Sequence, residues 1–148
     1  MKISILLVDD DEDDRLFFEE AIEELNEDIS FKSLNNGLEA LNYLETCTTL
    51  PHALFLDINM PIVDGPKCLK QLRANTNYDD IIIFMYSTSS VPDTISQLQK
   101  AGANFYLRKP ISFNALKQLI KKSLDLLPQP ATIGQEENNF FITNDSTS

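Results

Sequence analysis

The chain has 148 residues, 43% of them hydrophobic, which is enough for one buried core and too little for two ordinary domains. A formal net charge of −11 argues against nucleic acid or an anionic membrane surface as partner, because both need clustered Lys and Arg. The apolar run near the N-terminus, Ile3 to Val8, is too short for a signal peptide or membrane span and meets acids at once, so a cytoplasmic protein is expected.

Five short apolar runs alternate with five stretches of helical period, the pattern of a doubly wound α/β fold: a five-stranded parallel sheet with helices on both faces. The first run, Ile3 to Val8, precedes a helix in which Phe18, Ala21, Ile22 and Leu25 recur at helical spacing while Glu19, Glu20, Glu23 and Glu24 face outward. The second run is Ile29 to Leu34, followed by a helix marked by Leu38, Leu41 and Leu44. Ala53 to Leu56 forms the third run, and Cys68, Leu69 and Leu72 the helix behind it. Ile81 to Tyr86 leads to a helix carrying Val91, Ile95 and Leu98, with Pro92 tolerable in its first turn and Ser89 or Ser90 as its cap. Asn104 to Leu107 is the fifth run, and the last helix carries Phe113, Leu116, Ile120, Leu124 and Leu127 before Pro128 and Pro130 stop it. A domain over residues 1–127 is therefore expected.

Residues 128–148 shift to Pro, Gln, Asn, Thr and Ser and read as a flexible polar tail, not an output domain. One apolar patch, Phe140 to Ile142, interrupts it and is suited to docking on the domain or on a partner. Whether that patch supports a homodimer stays open. Cys47 and Cys68 belong to no CxxC or zinc-type cluster and are expected to stay reduced. His52, in a Leu-Pro-His-Ala turn, is assigned no role.

In an open parallel sheet, ligands sit beyond the carboxyl ends of the strands. Just past the runs stand Asp9 and Asp10, then Asp57, then Ser87 and Thr88, then Lys109 before Pro110. Three carboxylates drawn together repel unless a cation shares the site, and all-oxygen ligands favour a hard ion, Mg²⁺ above all. Asp57, held by a rigid strand at the centre, is the natural nucleophile, with Mg²⁺, Lys109 and the Ser87 hydroxyl placed to stabilise phosphoryl oxygens. Alone, an Asp after an apolar strand is usually a turn residue, and Asp57 escapes that reading only through its company. Asp11, Glu12, Asp13 and Asp14 read as a solvated acidic helix start.

The pattern Leu7-Val8-Asp9-Asp10, Leu56-Asp57-Ile58-Asn59-Met60-Pro61 with Asp64-Gly65, Tyr86-Ser87-Thr88 and Arg108-Lys109-Pro110 resembles the receiver domain of two-component response regulators, over about residues 2–127. That resemblance implies a flavodoxin-like (βα)5 fold and a Mg²⁺-dependent phosphoryl acceptor, not a conventional enzyme. Asp57 would take a phosphoryl group from a phosphohistidine on a sensor histidine kinase or histidine phosphotransfer protein. It further implies that Asp9, Asp10, Asp57 and the Asn59 backbone carbonyl serve the metal and that Ser87 and Lys109 contact the phosphoryl group. Tyr106 would be an aromatic switch whose ring turns inward, and Lys109–Pro110 a cis peptide. The signal would leave by protein contacts around Ile95, Gln99 and Tyr106 to a downstream protein. Two alternatives are a phosphatase of the haloacid dehalogenase type, with Asp9 as nucleophile and Asp11 as acid/base, and a non-phosphorylated pseudo-receiver that only binds partners.

Overall fold

The computed structural model describes residues 2–89, 91–127 and 140–142. Its strands are β1 (Ile3–Val8), β2 (Ile29–Leu34), β3 (Ala53–Asp57), β4 (Ile82–Ser87), β5 (Phe105–Arg108) and β6 (Phe141–Ile142). The helices are α1 (Glu12–Leu25), α2 (Gly37–Thr46), α3 (Gly65–Arg73), α4 (Pro92–Lys100) and α5 (Phe113–Leu126). All strands run parallel in the order β2-β1-β3-β4-β5-β6. The doubly wound flavodoxin-like fold is thus present, with one strand more than expected.

The apolar runs are continuous because both sheet faces are covered. Leu6, Val8, Leu54, Leu56, Ile83 and Met85 pack on one face with Ala40 and Leu44 of α2, Cys68, Leu69 and Leu72 of α3, and Leu98 of α4. On the other face, Ile5, Leu7, Phe55, Phe84, Phe105 and Leu107 meet Phe18, Ala21 and Ile22 of α1 and Leu116, Leu119 and Ile120 of α5. Phe55 stacks between these layers on Phe84, and Phe84 on Phe105, with centroids 4.7 and 5.2 Å apart. Edge strand β2 alternates instead between partly buried and exposed residues.

Side chains start most helices. Asp11 caps α1 by accepting from Asp13 N–H and Asp14 N–H, Asp64 caps α3 through Lys67 N–H, and Ser112 caps α5 through Ala115 N–H. Asn36 accepts from Glu39 N–H while the Glu39 carboxylate accepts from Asn35 N–H, a reciprocal box at the start of α2. Helix α4 departs from expectation. Its cap is Val91, with no side-chain hydrogen bond, because Pro92 sets the first-turn φ and brings no N–H that needs a partner. Ser89 is used elsewhere, and Ser90 lies outside the described residues. His52 has a structural role after all: its Nδ1 accepts Ser4 N–H at 2.9 Å where β1 passes the start of β3.

The sixth strand comes from the apolar patch in the tail. Phe141 pairs with Tyr106 and Ile142 with Leu107, and Phe140 is buried among the α4-side core residues. Burying a phenyl ring on an otherwise open strand edge supplies the hydrophobic gain that the polar residues around it cannot. The rest of the expected flexible tail, residues 128–139 and 143–148, lies outside the described residues.

Candidate phosphoryl-acceptor site

The strand order reverses direction between β1 and β3, since β1 leads back to β2 on one side while β3, β4 and β5 extend on the other. A crevice opens at the carboxyl ends of strands at such a switch point. Asp9 and Asp10 follow β1 there and Asp57 ends β3, so the topology brings together acids 47 or more residues apart in sequence. One carboxylate oxygen from each of Asp9, Asp10 and Asp57 lies within 4.8 Å of the others.

Asp57 is only 6% exposed, and its Oδ1 accepts the Ile58 N–H at 2.9 Å. Burial pushes its carboxyl up from the ordinary 3.8 to about 7. The nearby Lys109 charge pulls against that rise, and the Asp9 charge adds to it. Asp9 is fully buried and is likewise raised, chiefly by burial, against the opposing hydrogen bond from Lys109. Its backbone is pinned: Asp9 N–H donates to Leu34 O at 3.1 Å, and Arg15 Nη1 donates to Asp9 O at 2.7 Å. Its Oδ1 accepts Asp11 N–H at 3.0 Å. Asp10 is the exposed member, on the solvent side of the cluster.

Lys109 enters from the loop after β5. Its Nζ donates to Asp9 Oδ2 and Asp14 Oδ2, both at 2.9 Å, and stands 3.7 Å from Asp57 Oδ1. The ammonium also lies 5.3 Å from the centre of the Tyr86 ring. Burial alone would lower the Lys109 pKa, but the two carboxylates holding it raise it above the usual lysine value, so it is a fixed cation. Asp14, read from sequence as a solvated helix-start acid, is therefore part of the site. The signal that could have found it is its position at the third residue of α1, on the turn that opens toward the carboxyl end of β1.

Ser87 closes β4, is 2% exposed, and accepts Ser89 N–H on its Oγ at 3.1 Å. Its backbone O accepts Lys109 N–H at 2.7 Å, which ties the β4 end to the β5 loop. Asn59 is exposed in the turn after β3. Gly65 is where that turn meets α3: its N–H donates to Ile58 O at 2.9 Å, and a Cβ there would sit 2.4 Å from Asp57 O. Tyr106 is fully buried and donates its hydroxyl to Ser89 O at 2.6 Å, so the ring is already turned inward.

One expectation fails. The described residues contain no cis peptide bond, so Lys109–Pro110 is trans, the intrinsically preferred form; the Lys109 N–H still reaches Ser87 O and its Nζ still reaches the acids from that backbone. Asp11, the acid/base of the dehalogenase-type alternative, is seen here capping α1 with its Oδ1.

The donor set suits a hard divalent cation: three carboxylates within mutual reach, two raised in pKa by burial, with nothing softer than oxygen among them. Among the described residues no helix is long and apolar enough to cross a membrane.

Comparison with known proteins points the same way. The family model for the response regulator receiver domain matches residues 5–121. A probable methanogenesis regulatory protein, FilR2 of Methanothrix harundinacea, is 30% identical over 122 residues, covering 80% of this chain and 79% of that protein. The transcriptional regulatory protein PrrA of Mycobacterium leprae is 35% identical over 132 residues, and the match spans 89% of this chain but only 54% of PrrA. Among solved structures, the phosphorylated cyanobacterial phytochrome response regulator RcpA superposes with a TM-score of 0.79 at 24% identity, covering 87% of this chain and 96% of that one, a likeness of fold. Switch-point acids, the Lys109 anchor and a family match over most of the core together establish that the chain belongs to the response regulator receiver domain family.

Proposed function

We propose that this chain accepts a phosphoryl group on Asp57 from a phosphohistidine of a sensor histidine kinase or histidine phosphotransfer protein, and passes the signal on through protein contacts. The family is a phosphoryl-accepting signalling module that works with such donors and binds Mg²⁺ at an acidic pocket. In the transfer, the Asp57 carboxylate attacks phosphorus, the P–N bond breaks, and its electron pair returns to the imidazole. Asp9, Asp10, Asp57 and the Asn59 carbonyl are the residues that would hold Mg²⁺, which supplies positive charge beside the transferring oxygens. Lys109 contributes a permanent cation next to the carboxylate. Ser87 offers a hydroxyl from the end of the adjacent strand.

The single observation that carries this reading is the buried Asp57 carboxylate at the sheet's switch point, within reach of Asp9, Asp10 and Lys109. The test is incubation with acetyl phosphate and Mg²⁺ followed by intact mass. A gain of one phosphoryl group in the wild type and none in Asp57→Asn is expected. A gain that survives Asp57→Asn would contradict the assignment, and no gain in either would leave the pseudo-receiver reading. Output is proposed to use the side of the sheet formed by α4 and β5, where Ile95 and Gln99 are half-buried; Tyr106 itself lies behind Phe140.

A further inference from the structure

Strand β5 would be an edge strand with unpaired backbone groups, and such edges are templates for added strands. Here the chain's own segment fills that place. Phe141 pairs with Tyr106 and Ile142 with Leu107, while Phe140, 1% exposed, sets its ring 6.5 Å from that of Tyr106. These three residues are an apolar island in a tail otherwise rich in Gln, Asn, Thr and Ser. A two-residue ladder is short for a strand, so the contact suits exchange better than a permanent sheet element does.

Tyr106 is shared between this segment and the phosphoryl site. Its hydroxyl donates to Ser89 O at 2.6 Å, Ser89 N–H donates to Ser87 Oγ at 3.1 Å, and Ser87 O accepts Lys109 N–H at 2.7 Å. The docked segment thus closes over a ring whose far end fixes the backbone that carries Ser87. A tyrosine ring held in the core or released from it is a two-state element that both sites touch, and a coupling between sites acts equally in both directions.

We propose that the β5 edge is a docking site for the chain's own Phe140–Ile142 segment, and that docking and phosphoryl-site occupancy reinforce one another through Tyr106 and Ser89. The proposal rests on the reading of Asp57 as a phosphoryl acceptor. The sign follows from the packing: the docked segment holds Tyr106 in the core and the 87–89 backbone in place, which prepares Ser87 for a phosphoryl oxygen.

The test uses the full chain and beryllofluoride with Mg²⁺ as a stable phosphoryl stand-in, followed by NMR. Phe140→Ala removes the ring, and Phe141→Pro takes the N–H from a residue paired with β5 while keeping Phe140. Both variants should bind beryllofluoride about five-fold more weakly or worse, with Mg²⁺ affinity unchanged, and a synthetic peptide of residues 136–146 in excess should restore the affinity of Phe140→Ala. Conversely, beryllofluoride should move the wild-type Ile142 methyl resonance further from its position in that free peptide. If Phe140→Ala fails to fold, Phe141→Pro carries the same comparison. Unchanged beryllofluoride affinity in a folded variant overturns the linkage alone. A wild type that binds Mg²⁺ but no beryllofluoride overturns the phosphoryl-acceptor reading and the linkage with it.

Discussion

Replacing Asp57 by Asn should stabilise the metal-free protein at high pH and leave it nearly unchanged at low pH. The carboxyl is 6% exposed and titrates at about 7 when folded, against an ordinary 3.8. A carboxyl raised in this way binds its proton more tightly in the folded than in the unfolded chain, so its contribution is complete below about pH 4 and is lost as pH rises through about 7. The gap corresponds to about 4 kcal/mol by linkage. Asn keeps the shape and cannot ionise, so it escapes the loss. Urea unfolding followed by circular dichroism, in EDTA, at pH 4.5 and pH 8 measures it. The wild type should fall relative to Asp57→Asn by about 2 to 4 kcal/mol between the two pH values. Asp9 is raised too and interacts with Asp57, so the difference between the two proteins reports Asp57 together with its coupling to Asp9. Mg²⁺ at pH 8 should then stabilise the wild type more than the variant. A difference that does not change with pH, or a wild type that gains on the variant as pH rises, would refute this account of the site's electrostatics.

Asp14→Asn removes one of the two carboxylates holding the Lys109 ammonium, leaving it to move toward Asp57. An NMR titration should find the Asp57 carboxyl lower by about half a unit or more, and an unchanged value would mean that Asp14 does not hold Lys109. Gly65→Ala drives a Cβ to within 2.4 Å of Asp57 O, so a stability loss of about 1 to 3 kcal/mol and slower phosphorylation are expected together in denaturation and mass assays. Stability lost with the phosphorylation rate intact would mean that the loop yields without moving Asp57. Ile62 sits at φ 69°, a left-handed conformation disfavoured for a β-branched residue, and is 70% exposed. Ile62→Asn should therefore raise the urea midpoint by the equivalent of about 1 kcal/mol, and a lowered midpoint would show that the Ile62 side chain contributes more than its backbone costs.

Periodicity and position carried the sheet, the helices and the core acids. Buried parallel strands read as unbroken apolar runs, and residues just past them converge because the topology leaves nowhere else for them to point. Contacts that depend on side-chain reach were not legible. Asp14 meets Lys109 across 95 residues of sequence, and only its place at the third residue of α1 sets it apart from its acidic neighbours there. Arg73, at the end of α3, is threaded inward, donating to Gly102 O, Tyr78 O, Ile81 O and Asn104 Oδ1 at 2.7 to 2.9 Å, and so binds α3 to the loops before β4 and β5 through contacts no local pattern announces. Boundaries moved by a residue where pairing decided them: Ser87 and Arg108 join their strands because they face each other in the β4–β5 register. The strand at Phe141–Ile142 was visible only as an apolar island, since a two-residue segment has too little period to declare itself.

The most direct test of the central claim is the position of the phosphoryl group. An acyl phosphate reduced with borohydride becomes an alcohol, so treating the phosphorylated chain and mapping its peptides locates the modified residue. The account predicts homoserine at position 57 and aspartate still at positions 9, 10 and 14. Homoserine at position 9 with position 57 untouched would contradict it.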